Sequence, residues 1–88
     1  MIKTIKFRIE YISEYGPVVY LLARQLDKGN FSLSPSSKLG GVLIKPFLSQ
    51  PRKLRDDGSL DQEVFVFVLA EKHERAKFFI GQIVEFSP

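Results

Sequence analysis

Apolar and charged residues alternate near the start of this chain, and that alternation constrains the fold more than any other feature. Ile5, Phe7, Ile9 and Tyr11 fall in one phase, and Lys6, Arg8 and Glu10 in the other. Successive side chains of a strand point to opposite faces, so this segment is expected to be a half-buried strand with those four apolar residues inward. The same period recurs along the sequence. Val18–Leu26 opens as an apolar run of β-branched and aromatic residues, which favours a strand covered on both faces over a short helix. Glu14-Tyr15-Gly16-Pro17 precedes it as a break, because proline fixes φ and donates no ladder hydrogen bond.

Asp27-Lys28-Gly29-Asn30 reads as a short hairpin loop. Phe31 and Leu33 alternate with Ser32 and Ser34, so a third strand is expected to return there. Pro35-Ser36-Ser37-Lys38 reads as a loop, and Gly40-Gly41 as a sharp bend or bulge. Val42, Leu43, Ile44, Phe47 and Leu48 make a fourth apolar run, and Pro46 inside it marks an edge strand or an early strand end. Ser49–Gln62 is polar and is expected to be a surface loop or an arm, with Asp57-Gly58 at a hairpin tip.

Glu63–Ala70 carries the strongest strand signal. Its Val64-Phe65-Val66-Phe67-Val68-Leu69 core is apolar in both phases, which calls for burial on both sides or for a subunit interface. Glu71–Lys77 is the one segment suited to a helix, with Glu71 and Arg75 spaced for a favourable pair. It is too short to stand alone. Phe78, Phe79 and Ile80 are expected to return the chain to the core, Gly81 to turn it, and Ile83, Val84 and Phe86 to form the last strand.

These elements predict an all-β fold in a single domain spanning residues 1–88: a small six-stranded antiparallel barrel with at most one short helical turn. A sandwich would give the same alternation. A closed barrel has the advantage of removing exposed edges from a chain so rich in Val and Phe. A domain of 88 residues buries only about 60–65% of the surface it would expose unfolded, so each apolar residue counts. Hydrophobic residues make up 44% of the chain, with eight Phe and three Tyr, enough for a core without staples. Cysteine is absent, which excludes disulfides, a thiolate zinc site and a Cys nucleophile. With neither a signal-peptide run at Met1–Lys6 nor a membrane-length apolar stretch, a cytoplasmic protein without membrane contact is expected.

From about Tyr15 to Phe86 the chain resembles the second, β-barrel domain of elongation factor Tu and related translation GTPases. The resemblance is carried by the apolar strand Val18–Ala23 leading to Gly29, by the Gly40-Gly41 bend, and by the closing stretch. In that stretch Phe65-Val66-Phe67-Val68-Leu69 is followed by a polar turn and then Phe78-Phe79-Ile80-Gly81-Gln82-Ile83-Val84. The resemblance implies a translation-protein-like barrel that contacts RNA or a protein partner. The sequence holds no phosphate-binding Gly-Lys-Ser/Thr loop, so the GTPase domain of that family is missing. No contact residue of the family maps onto a position here, and fold likeness does not transfer function.

Catalytic chemistry is hard to find. His73, the one histidine, lies in the polar run Glu71-Lys72-His73-Glu74-Arg75 and reads as a solvated surface residue. The serines have no Gly-x-Ser-x-Gly setting and read as turn and loop residues. Asp56, Asp57, Asp61 and Glu63 alternate with Arg52, Lys53 and Arg55, as in a self-compensating loop, and lack the spacing of a calcium loop. The reading is therefore not an enzyme, with no catalytic residues, no metal and no cofactor.

The net charge of +3 permits nucleic-acid binding without requiring it. Arg52, Lys53 and Arg55, with Lys38 and Lys45, are the candidate binding residues for nucleic acid or another partner. Such a basic rim would bind RNA if Tyr11, Tyr15, Tyr20 or Phe47 stacked on bases. The expected function is a non-enzymatic, translation-associated binding module that contacts RNA or a protein partner. The alternative is a self-associating interaction domain without a nucleic-acid role, a homodimer closed through Val64–Leu69.

Overall fold

The computed structural model describes residues 4–46, 49–50 and 54–88. Six antiparallel strands form one curled sheet, a half-barrel. They are β1 (Ile5–Tyr15), β2 (Val18–Gln25), β3 (Lys38–Leu39), β4 (Val42–Leu43), β5 (Val64–Val68) and β6 (Ile83–Ser87), with one 3-10 helix at Lys72–Lys77. The order across the sheet is β4-β3-β6-β1-β2-β5. Backbone bonds beyond β4 draw the two ends of that order together: Lys45 N–H donates to the Val68 carbonyl at 2.8 Å and Ala70 N–H to that of Leu43 at 3.2 Å. The bonded pairs Ile44–Leu69 and Ser49–Val66 lie on the same seam. This contact satisfies much of what would otherwise be an open edge.

The concave side holds the core. Ile5, Phe7, Ile9, Val19, Leu21, Ala23, Leu39, Val42, Ile44, Phe67, Leu69, Phe78, Val84 and Phe86 are buried in one cluster. Phe7 sits at its centre, edge-on to Phe67 at 5.0 Å and to Phe31 at 5.2 Å between ring centroids. Such pairs are worth about 0.5–1.5 kcal/mol beyond the area they bury. Phe31 also meets Phe65 at 5.1 Å and Phe86 at 5.2 Å, so it covers the core from outside the sheet.

The expected third strand at Phe31–Leu33 does not form. Both side chains pack on the core, but their backbone pairs with no strand, and β3 begins instead at Lys38. Alternation reported their burial correctly and their hydrogen bonding wrongly, because a plug and a strand leave the same apolar signature. Residues 39–42 then make a two-residue hairpin. Gly40 and Gly41 have φ of +60° and +79°, the left-handed pair that a type I′ turn requires. A Cβ on Gly40 would stand 3.1 Å from Val84 Cγ1, so close packing demands glycine as well.

The inward phase of β1 changes partway along. Ile9 pairs with Ala23 and Tyr11 with Leu22, so Glu10 is an extra residue in a β-bulge. Ile5, Phe7 and Ile9 point inward as expected, whereas Tyr11 is 58% exposed. Ile12 takes over the packing against the core. The return of Phe78–Ile80 to the core is also only partial: Phe78 is buried, while Phe79 and Ile80 are each 63% exposed. The hairpin tip at Asp57-Gly58 forms as expected, with Leu54 bridging Leu60 and Arg55 N–H donating to the Ser59 carbonyl at 2.7 Å.

Candidate functional site

Of the five cations singled out by sequence, Arg52 and Lys53 lie outside the described residues, as does Phe47. Lys38 and Lys45 come together. Lys38 pairs with Leu43 across the β3–β4 hairpin, and Lys45 lies two residues further along the same strand course. Leu39, Val42 and Ile44 are buried, so alternation sends Lys38, Leu43 and Lys45 to the convex side. Arg55 goes elsewhere. Its guanidinium lies 3.6 Å from Glu63 and 3.9 Å from Asp61, so carboxylates neutralise it.

The most constrained polar group is Arg24, at a position the sequence reading passed over. Its guanidinium grips Asp61 in a two-toothed pair, Nη2 to Oδ2 at 2.8 Å and Nη1 to Oδ1 at 3.3 Å, while Nε donates to Glu10 at 3.0 Å. Arg8 Nε donates to the other Glu10 oxygen at 3.1 Å. The bulge at Glu10 supplies the carboxylate that bridges the two arginines. Asp61 is only 5% exposed and also accepts the Glu63 N–H at 3.2 Å. It is therefore not part of a solvated acidic loop: it pins residues 54–63 to β2.

Electrostatics follow the geometry. The Arg24 hydrogen bond holds the Asp61 carboxyl below its ordinary range against the opposing effect of burial. Burial pushes the Glu10 carboxyl up, but hydrogen bonds from Arg24 and Arg8 outweigh it and leave the group lowered. The bond to Asp61 raises Arg24 further. The signal missed in the sequence was a lone cation continuing an apolar strand, which must find a partner when half-buried.

The 3-10 helix carries His73 on the surface, with Nε2 3.1 Å from a Glu74 oxygen. A hollow of about 340 Å³ is lined by Gln25, Gly29, Asn30, Phe31, Gln62 and Phe65, and His73 is not among its walls. Among the described residues no cluster of three or more His, Asp or Glu is placed to hold a metal ion. Ser34, Ser36 and Ser37 bond to one another in a turn: the buried Ser37 hydroxyl accepts the Ser34 N–H at 2.8 Å. None of these groups forms a nucleophile–base pair. Among the described residues no helix is long and apolar enough to cross a membrane.

A second surface, over β1 and β6, leaves large apolar side chains exposed. On β6, Val84 and Phe86 are buried, so Ile83 and Glu85 face outward with Ile83 60% exposed. Ile83 pairs with Arg8 and Glu85 with Lys6 of β1. The turn before β6 is bonded to β1, with Gly81 N–H donating to the Ile9 carbonyl at 2.7 Å and Ile9 N–H to that of Gln82 at 2.8 Å. Just before β6 the chain reverses in a turn, with Gln82 N–H donating to the Phe79 carbonyl at 3.1 Å. Phe79, Ile80, Ile83 and Tyr11 are all more than half exposed. The parity of Ile83 against Val84 and Phe86 was the sequence signal for the exposure of Ile83. Tyr11 became visible only through the bulge. By contrast, the apolar excess of β5 is mostly absorbed within the chain, since Val64 and Val68 are buried as well as Phe67.

No protein-family model, no curated protein and no solved structure matches this chain.

Proposed function

We propose that this domain is a non-enzymatic binding module that docks a protein partner through the convex face of β1 and β6. The observation that carries the reading is the run of exposed large apolar residues at the entry to β6, where Phe79, Ile80 and Ile83 are each at least 60% exposed. Scattered exposed apolar residues are ordinary, but a group of large ones rimmed by charge is characteristic of an interaction surface. The resemblance to the second domain of elongation factor Tu stays within this proposal at the level of architecture, as six antiparallel strands in a curled sheet. A translation-associated role is part of the same proposal.

RNA is the second reading, and a specific observation favours it: Lys38 and Lys45 share one exposed course on the β3–β4 hairpin. Against it stand Glu10, Glu63 and Asp61, which neutralise Arg8, Arg24 and Arg55. Titration of a short mixed-sequence RNA at two salt concentrations tests the choice. Protein docking predicts no salt-dependent affinity. An affinity that falls with salt and is lost in Lys38→Glu or Lys45→Glu, but not in Ile83→Lys, would replace it with the nucleic-acid reading.

A further inference from the structure

β1 outruns its neighbour on one edge. β6 accompanies it from Ile5 to Arg8, and among the described residues Ile9 is the last whose backbone is bonded on that side, to Gln82 and Gly81. From Tyr11 to Tyr15, β1 pairs with β2 alone. The register decides which backbone groups face the open edge. Gly16-Pro17 is a two-residue turn closing on the pair Tyr15–Val18, so Tyr15, Ser13 and Tyr11 bond to β2. Ile12 and Glu14 alternate with them. Their partners Leu21 and Val19 direct their own bonds toward β5, where the Val19 carbonyl accepts the Leu69 N–H at 3.1 Å. Ile12 and Glu14 therefore aim N–H and C=O away from β2, and among the described residues no other backbone group bonds to them.

An open edge is a template for another strand, and this one is self-complementary. Consider a two-fold axis perpendicular to the sheet and beside Ser13. It sets β1 antiparallel to β1 of a second copy. Ile12 then lies opposite Glu14 of that copy, and Glu14 opposite its Ile12, so each pair exchanges both backbone bonds. Tyr11 lies opposite the second copy's Tyr15, and Ser13 opposite its Ser13, in the pairs where side chains stand closest. Ile12 packs toward the core, so Tyr11, Ser13 and Tyr15 share the convex side. Tyr11 is 58% and Tyr15 81% exposed, and such aromatic pairs across strands are stabilising. The length also fits. The second copy's strand ends in its own turn just after Tyr15, opposite Tyr11, and so turns away before Ile9, where Gly81 and Gln82 hold the edge. No like charges stand directly opposite in this register.

We propose that the chain forms a two-fold symmetric dimer by antiparallel pairing of Tyr11–Tyr15 of β1 with the same segment of a second copy, joining the two sheets into one. The contact is an edge and stands independently of the β1–β6 face in the docking reading above. It places the self-association on β1 rather than on β5.

Sedimentation velocity of the full chain across a concentration series tests it. The wild-type mass should double with concentration. Glu14→Pro removes an edge N–H without touching a bond to β2, and should abolish the doubling. Ser13→Lys and Ser13→Glu each set like charges together at the axis and should weaken dimerisation about tenfold or more. An equimolar mixture of the two Ser13 variants should restore association, since the mixed pair joins opposite charges. Melting curves coincident with wild type would establish that the variants remain folded. A wild type that stays monomeric overturns the proposal and leaves the edge to an extended segment of another protein. A dimer that survives Glu14→Pro overturns it too, as does a mixture of folded Ser13 variants that fails to reassociate. The RNA titration decides the docking reading separately, so failure here leaves that result standing.

Discussion

The two sides of the convex surface are treated differently by the same sheet. Over β2 and β5 the outward groups are engaged within the chain. Arg24 is tied to Glu10 and Asp61, and Val64 and Val68 are buried. Over β1 and β6 the outward Ile83 and its neighbours Phe79 and Ile80 stand open to solvent. One side therefore serves the fold, and the other leaves large apolar side chains exposed. Burial of a half-charged, half-apolar surface requires that its charges be paired, and only the β2–β5 side has the arm at residues 54–63 to provide the pairing.

Both sides share the concave core, so the largest loss should come from there. Phe67→Ala is expected to cost about 3–5 kcal/mol, enough to unfold much of a domain this small. Denaturant unfolding measures it, and an unchanged midpoint would remove Phe67 from the core and undo the pairing of β2 with β5. The comparison itself is tested next by Arg24→Leu. It should lower the melting temperature clearly, though less than Phe67→Ala, and should raise proteolysis of the arm near Leu54–Leu60, because Asp61 loses its main partner. A variant as stable as wild type would mean that the β2–β5 side is no more committed to the fold than the other.

Acid sharpens the same point. The carboxyls of Asp61 and Glu10 are depressed in the folded chain. Their contribution is therefore fully present above the unfolded carboxylate range, about pH 4, and is lost as pH falls through their lower folded values. Melting temperatures taken from neutral to acidic pH should fall less steeply below that range in Arg24→Leu than in wild type. Parallel profiles would separate Arg24 from the acid response. The smallest effect is expected at Ile83→Lys, within about 0.5 kcal/mol of wild type by denaturant unfolding, as for other exposed substitutions. A large loss there would turn the open face into part of the fold.

Several elements were legible in sequence because they depend on neighbours in the chain. The strand around Phe7 follows from local alternation, those around Leu21 and Phe67 from apolar, β-branched and aromatic runs, and the turn at Asp57-Gly58 from its own residues. The candidate site was legible only in part. Lys38 and Lys45 were named and do share a face, but Arg55, close to them in sequence, is drawn off by Glu63 and Asp61. Arg24 and Asp61 are 37 positions apart, and no local pattern links them.

The sequence by itself determined that this chain is an antiparallel all-β domain and that Ile5, Phe7 and Ile9 of its first strand face inward, because a period of two leaves one inside and one outside. Tertiary structure decided the rest. It inserted Glu10 as a bulge, which turned Tyr11 outward and placed a carboxylate between Arg8 and Arg24. It used Phe31 as a plug rather than a strand, and it brought β6 beside β1 so that Lys6 and Glu85 became neighbours. Each of these outcomes depends on which strands lie side by side, and alternation within a strand carries no record of its neighbours.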